Sequence, residues 1–227
     1  MSKRLPIHES FFTWQGEGVH MGKSAYFIRT FGCPVHCPWC DSAGTWHKDY
    51  VPKDIEKLTA AELADMAAEH NPDFVVITGG EPTVHDLNEL TAELHEKGLQ
   101  IHLETSGAFQ IKGQFDWVTL SPKWWKMPLN ENLESAEEIK IIVDSEDAIQ
   151  RWADEIGSIV KAEHIWLHPE WSQRADPGII NSITEWVKSH GAPYRAGYQL
   201  HKMYQADSMD KRSRPTVPLG GDEKLGY

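Results

Sequence analysis

The chain has no excess of basic residues: 22 Lys and Arg stand against 34 Asp and Glu, a formal charge of −12. Proteins that grip nucleic acid do so largely by neutralising phosphates with a basic stripe, so neither tRNA nor DNA is expected as the main substrate. No run approaches the roughly 18 apolar residues of a membrane span, and the opening MSKRLPIHES lacks the apolar core of a signal peptide. No membrane partner is expected, and the location expected is cytoplasmic. Internal repeats and low-complexity segments are absent. Cysteine is scarce. The three present all fall between positions 33 and 40, an odd number packed too closely for a disulfide framework and better suited to metal ligation. What is there is 227 residues, 40% of them hydrophobic, enough for one compact domain working on a small molecule.

Residues 24–31 (SAYFIRTF) are aromatic and β-prone and run directly into Gly32-Cys33-Pro34, which predicts a strand ending at the cysteine loop. Thr59 and Glu62 form a capping-box pattern for a helix reaching about His70, where Asn71-Pro72 stops it. A buried strand is expected over 74–78, then Gly79-Gly80-Glu81-Pro82, then a second helix capped by Asp86 with Glu89 and ended by Gly98. Strands are also expected over 99–105, 117–120, 139–143, 164–168 and 194–199, with helices over 145–156 and 176–190. The last helix has Asp176 as cap, Pro177 at its first position and Gly191 as its stop. Strands alternating with crossover helices imply an α/β fold, a mainly parallel sheet forming an open, partial barrel over residues 1–210. Residues 211–227, rich in Pro and Gly and without periodicity, read as a C-terminal tail or lid. Reactive groups in such folds gather at the carboxyl ends of strands, where Cys33, Gly79, Glu104 and Ser121 fall.

The spacing Cys33-x-x-x-Cys37-x-x-Cys40 places three thiolates on one short loop that Pro34 and Pro38 keep from becoming helical. An iron–sulfur cubane held by only three cysteines keeps one iron open to another ligand. The alternative is a non-catalytic zinc-binding module of Cys3His type, for which His36 sits too close to Cys37 and His47 would need the loop to fold back.

With a strand before it and Trp39 preceding its last cysteine, the loop resembles the signature of the radical S-adenosylmethionine (SAM) superfamily. Gly79-Gly80-Glu81-Pro82, an ordinary turn on its own, is similar to that family's GGEP segment. The resemblance implies a 4Fe–4S cluster on Cys33, Cys37 and Cys40, whose open iron takes the methionyl amine and carboxylate of SAM, so that reduction yields a radical able to abstract a hydrogen atom. It implies SAM contacts from Trp39, Cys40, Asp41, Gly79, Gly80, Glu81 and the loop Ser121-Pro122-Lys123.

Trp14-Gln15-Gly16-Glu17-Gly18, Arg29 and Cys40-Asp41-Ser42, in that order, further resemble the 7-carboxy-7-deazaguanine synthases, and the similarity runs over about residues 7–202. This resemblance implies a carbon–nitrogen lyase of queuosine (7-deazapurine) biosynthesis that converts 6-carboxy-5,6,7,8-tetrahydropterin to 7-carboxy-7-deazaguanine with loss of ammonia. It also implies substrate contacts from Trp14, Gln15, Gly16, Glu17, Arg29 and Thr78, a magnesium ion (Mg2+) on the Ser42 hydroxyl, a flavodoxin or ferredoxin as electron donor, and a homodimer. The residue types suit these roles: a guanidinium for a carboxylate, an amide and a carboxylate for a pterin edge, a hydroxyl oxygen for a hard cation. Each also has a plainer use, with Glu17 topping a turn, Arg29 in a structural ion pair and Ser42 capping its loop.

Two segments depart from the pattern: Gln199-Leu200-His201-Lys202 stands where relatives carry Gln-Thr-His-Lys, and His168-Pro169 where they carry Gln-Pro. A rival within the superfamily is an activase of a glycyl-radical enzyme, which would need a protein-docking surface. His8, His20, His85, His95, His102 and His164 show no metal spacing and are expected to pack or face solvent. Trp124-Trp125 either wall the site or cover the barrel mouth, and residues 131–138 read as a solvated acidic surface, with docking of a basic region of a reductase as the alternative.

Overall fold

The computed structural model describes residues 3–204. The strands are β1 (Arg4–Trp14), β2 (Ser24–Thr30), β3 (Glu56–Thr59), β4 (Phe74–Gly79), β5 (Ile101–Thr105), β6 (Trp117–Leu120), β7 (Glu138–Val143), β8 (His164–Pro169) and β9 (Tyr194–Ala196). They form one sheet in the order β3-β1-β2-β4-β5-β6-β7-β8-β9. From β2 to β9 every pairing is parallel, while β1 pairs antiparallel with both β2 and β3. The order is linear, so the sheet curls into an open barrel of the expected class. The tail expected over 211–227 lies outside the described residues.

Alternation along the strands decides what each face does. In β7, Ile139, Ile141 and Val143 enter the main core, and in β4, β5 and β6 so do Val75, Ile77, Ile101, Leu103, Val118 and Leu120. That face is covered by helices α1 (Ala60–Ala68), α2 (Asn88–Glu96), α3 (Asn130–Ser135), α4 (Ala148–Ile156) and α5 (Pro177–His190), which contribute Leu63, Leu90, Leu94, Leu133, Trp152 and Ile183 to it. Residues between these positions point into the concavity. At the amino ends of the strands they are aromatic: His102 stacks on Phe74 at 3.9 Å, and His20 lies 4.6 Å from both His102 and Trp117. Toward the carboxyl ends they turn polar, with Arg29 beside Thr78 in register and Glu104 beside Thr119. Apolar packing therefore floors the barrel, and its charged groups crowd the mouth.

Local signals hold where a side chain can complete a cap. Thr59 and Glu62 make the full reciprocal capping box, Asp176 accepts from Ile179 N ahead of Pro177, and Gly98 and Gly191 take positive φ of 73° and 64° as helix stops. The cap expected for α2 differs. Leu87 is the cap residue, and Asp86 instead accepts from the Asn88 amide at 3.1 Å, because the helix starts one residue too late for Asp86 and Glu89 to pair reciprocally. The strand expected over 194–199 ends at Ala196, since the chain turns away at Gly197, whose Cα packs so closely on His168 that a Cβ would lie 2.3 Å from the ring. The helix expected from 145 begins at Ala148, after Ser145 bonds to Asp147 at 2.7 Å.

Along the acidic stretch 131–138, Glu131, Glu134 and Glu137 are exposed as expected of a solvated surface, and Glu138 departs from it. The first part of the stretch forms α3, with Asn132 and Leu133 buried, and Glu138 opens β7 inside the barrel at 3% exposure. Trp124 stacks on Trp152 at 3.9 Å in the core, whereas Trp125 is exposed and meets Trp39 edge-on at 5.6 Å.

Candidate active site

One cleft opens at the carboxyl ends of the parallel strands, and every residue singled out for a site role lines it except Pro122, which is buried behind Ser121 and Lys123. The cysteine loop that follows β2 forms one wall. The GGEP turn after β4 is fastened to it by Gly80 N donating to Thr30 O at 3.1 Å and Glu81 N to Gly32 O at 2.9 Å. Only glycine fits at 80, where a Cβ would lie 2.4 Å from the Gly32 carbonyl oxygen and 2.8 Å from the Cys33 Cβ. Gly79 is equally confined against Thr30. Glu81 is buried, and its carboxylate accepts from the Thr83 amide and hydroxyl, the Thr105 hydroxyl, and the Ser106 amide and hydroxyl. It therefore locks the turn to β5 from within.

Cys33, Cys37 and Cys40 are free thiols. Burial pushes Cys37 up to about 11 and Cys40 to about 12, and raises Cys33 as well. Thiols so desolvated ionise when a positive centre arrives, which is the behaviour of a ligand set built for metal. Among the described residues no group of three or more His, Cys, Asp or Glu is gathered around a single metal position. The trio suits a multi-iron cluster, whose ligands attach at separate corners. Ser42 N and Trp46 Nε1 each approach the Cys40 sulfur at 3.4 Å, the hydrogen bonding that tunes cluster sulfur ligands. Trp39 Nε1 is buried at the cleft with no partner among the described residues. Lys123 is held by Ser121 O and Oγ, both at 2.6 Å, and faces Trp39 at 5.4 Å. Burial lowers its pKa, an effect opposed by the nearby thiols and Glu81.

The opposite wall is polar. Arg29 donates through Nε to Glu9 at 2.7 Å and through Nη1 to Ser42 Oγ at 3.0 Å, and no described residue accepts from Nη2. Burial opposes its charge, but Glu9, Asp41 and Glu104 outweigh burial and raise its pKa. The plainer structural use of Arg29 is thus real and leaves one edge of the guanidinium open. Gln15 Nε2 donates to Glu104 at 2.9 Å, and Gln15 Oε1 accepts from Glu17 N at 3.2 Å. Glu17 is ion-paired with Lys140 and accepts from Gln199 Nε2 at 2.8 Å. Gln199 also reaches Asp41 at 3.1 Å. Gly16 must be glycine, since a Cβ there would sit 2.1 Å from the His201 ring. Trp14 and Thr78 complete this wall, with Trp14 edge-on to Tyr204 at 5.6 Å.

Sequence reasoning passed over Lys140, Gln199, His201 and Lys202, which line the cleft, and Glu138, which holds the loop after β1 through Val19 N. The signal for two of them was present: Glu138 and Lys140 interrupt the apolar run of β7 at inward-facing positions, where a charge is expensive unless paired. The signal for the others was only the Gln-x-His-Lys segment at the start of helix α6 (Leu200–Tyr204).

Residues 27–113 match the model of the radical SAM superfamily. A 7-carboxy-7-deazaguanine synthase of Synechocystis is 43% identical over 198 residues, 87% of this chain and 91% of that protein. One of Flavobacterium psychrophilum is 36% identical over 87% of this chain and 90% of its own. The crystal structure of QueE from Escherichia coli, 31% identical, superposes with a TM-score of 0.74 over 87% of this chain and 95% of that one. With this agreement of motif order, cleft geometry and whole-chain similarity, the chain belongs to the 7-carboxy-7-deazaguanine synthases of the radical SAM superfamily.

Proposed function

We propose that this chain converts 6-carboxy-5,6,7,8-tetrahydropterin to 7-carboxy-7-deazaguanine, releasing ammonia, as a lyase of queuosine biosynthesis. The observation that carries the reading is that one cleft places a guanidinium with an open edge and a carboxylate-rich wall opposite three metal-type thiols.

Cys33, Cys37 and Cys40 hold a 4Fe–4S cluster, and SAM lies against Trp39, Cys40, Asp41, Gly79, Gly80 and Ser121 to Lys123, with Glu81 and Pro122 shaping those loops from behind. When bound, cluster and SAM supply hydrogen-atom abstraction, chemistry no side chain provides. The protein's own residues do the rest. Nη2 of Arg29 takes the substrate carboxylate; Gln15, Gly16, Glu17 and Thr78 meet the pterin, and Trp14 covers it. Ser42, whose hydroxyl accepts from Arg29, is the Mg2+ ligand. Residues 1–210 act as a single catalytic unit with 211–227 appended. No helix among the described residues is long and apolar enough to cross a membrane. We place the protein in the cytoplasm as a homodimer, reduced by a flavodoxin or ferredoxin.

The test is anaerobic reconstitution with iron and sulfide, followed by SAM, Mg2+, reductant and 6-carboxytetrahydropterin, with the product weighed by mass spectrometry. Appearance of 7-carboxy-7-deazaguanine is expected. Formation of 5′-deoxyadenosine without it would leave the radical chemistry standing and refute the substrate.

A further inference from the structure

Lys140 projects from the middle of β7 into the barrel, with 13% of its side chain exposed. Its ammonium pairs with Glu17, from the loop after β1, and lies 3.7 Å from Glu104 Oε2 on β5. The two carboxylates belong to elements far apart in sequence and share this one cation. Burial disfavours the charge on Lys140, yet Glu104 and Glu17 more than offset it and hold Lys140 protonated, while Lys140 keeps Glu17 below the usual carboxylate range against the effect of burial. Other charged or titratable groups facing the trio are Arg29, Asp41, Lys123, Glu138, His168 and His201. Of the cations, Lys140 alone makes a side-chain hydrogen bond to either carboxylate.

The consequence is a hydrogen-bonding pattern. An ionised carboxylate has about four acceptor sites and no donor. Glu17 uses sites for Lys140 and Gln199, and Glu104 one for Gln15 with the Lys140 ammonium at ion-pair distance, so both keep open acceptor sites beside the cleft, and Lys140 favours the ionised form of Glu17. The two carboxylates themselves contribute acceptors and no donor, and such a pair reads a donor edge on the ligand. Without the ammonium, two carboxylates in a desolvated pocket would share a proton, as like charges do at short range, and the pair would present a donor of its own.

We propose that Lys140 is the specificity-positioning residue of this site: by holding Glu17 and Glu104 together as acceptors, it makes the cleft select a 2-amino-4-oxo pyrimidine edge, rich in N–H donors, over its 2-oxo counterpart. This rests on the pterin reading above and adds the part of the ligand that is discriminated. A site built for a hydrogen-bonding group rejects the analogue lacking it strongly, because its own buried groups are left unpaired.

The experiment is equilibrium binding of two unreactive ligands, 6-carboxypterin and 6-carboxylumazine, to the cluster- and SAM-loaded protein between pH 6.5 and 9. The wild type is expected to prefer the pterin by a factor on the order of 100 at pH 6.5, and because both ligands lose a ring N–H proton toward pH 9, each variant's profile is read as its ratio to the wild type at the same pH. Lys140→Met should lose at least about tenfold of that preference at pH 6.5 and regain part of it toward pH 9, as the shared proton leaves. Lys140→Arg should restore both preference and flat profile. If Lys140→Met does not fold because its carboxylates are stranded, Lys140→Met with Glu104→Gln removes one of them and should fold yet still lose the preference. A Lys140→Met protein with unchanged preference and a flat profile overturns the inference, as does equal weakening of both ligands at every pH, which marks a merely structural lysine. Failure of the wild type to bind either ligand refutes the pterin reading itself and this inference with it.

Discussion

The Lys202 ammonium stands 3.2 Å from the Asp41 carboxylate with only 2% of the Lys202 side chain exposed, which ties the last described helix to the residue after the third cysteine. Burial works against the Asp41 charge, but Lys202, Arg29 and His201 more than reverse this and depress its pKa. Lys202→Met should destabilise the protein by about 1 kcal/mol, the modest size that a partly exposed partner dictates. Urea unfolding in a double-mutant cycle with Asp41→Asn measures it, and a coupling energy near zero would show that the contact is incidental.

Stability should fall as the medium is acidified through the histidine range. Burial, with His20 adding to it, pushes His102 down to about 3, and burial pushes His168 down to about 4. A histidine depressed in the folded state leaves the unfolded chain to bind the proton first, so its contribution is present above about pH 6.5 and lost as pH falls toward the folded value. Each such group steepens the decline by about 1.4 kcal/mol per pH unit. His102→Phe, which keeps a ring on Phe74, should flatten the slope between pH 6 and 4 by about one proton's worth. An unchanged slope would mean that His102 titrates normally.

The cysteine loop, the GGEP turn and the parallel strands could be read from the sequence because each depends on local chemistry: thiol spacing, glycine where a Cβ would collide, and short apolar runs. β1 could not, because Pro6 and its mixture of polar and apolar residues gave no clean alternation, and it is held by antiparallel pairing with β2 and β3. The acidic reading of 131–138 holds for the exposed Glu131, Glu134 and Glu137 and fails at Glu138 for a related reason. Glu138 looks like its exposed neighbours in composition, and only the fold brings Val19 N, Thr119 Oγ1 and Trp166 Nε1 to its carboxylate, at 2.7, 3.0 and 2.8 Å.

Each cysteine should be indispensable for iron. Cys37→Ala removes one of three cluster ligands on a loop that offers no fourth, so the reconstituted variant should lose its brown absorption and most of its iron and sulfide. Full iron content by elemental analysis would overturn the assignment of the loop.

Gly18 should resist substitution because it is a buried turn residue. Its φ is 73°, and an added Cβ would lie 2.3 Å from Glu138 Oε1, an oxygen held by Thr119. Gly18→Ala is expected to cost about 1–2 kcal/mol in backbone strain alone and to displace Glu17 from Lys140. Glu138→Gln, which can keep two of the three bonds as acceptor and reverse the third, should be tolerated better than Glu138→Ala. Equal thermal stability of the two Glu138 variants would show that the carboxylate does not clamp this loop.

Arg29 separates a structural from a binding role because its guanidinium serves both. Nε is engaged by Glu9 at 2.7 Å, so Arg29→Ala strands a largely buried carboxylate and should lower stability whatever the ligand does. Combining it with Glu9→Gln removes that penalty and isolates the binding term. In the double variant, 6-carboxypterin should bind roughly 10- to 150-fold more weakly, the loss of about 1.5–3 kcal/mol expected for a charge-assisted hydrogen bond. A pterin without the carboxylate, and SAM, should bind as they do to the wild type. Arg29→Lys should recover only part of the affinity, because an ammonium cannot hold Glu9, Ser42 and a ligand carboxylate in one plane. If the double variant lost SAM and both pterins alike, Arg29 would be acting only through the packing of β2 against the cysteine loop, and the carboxylate reader would have to be sought elsewhere in the cleft.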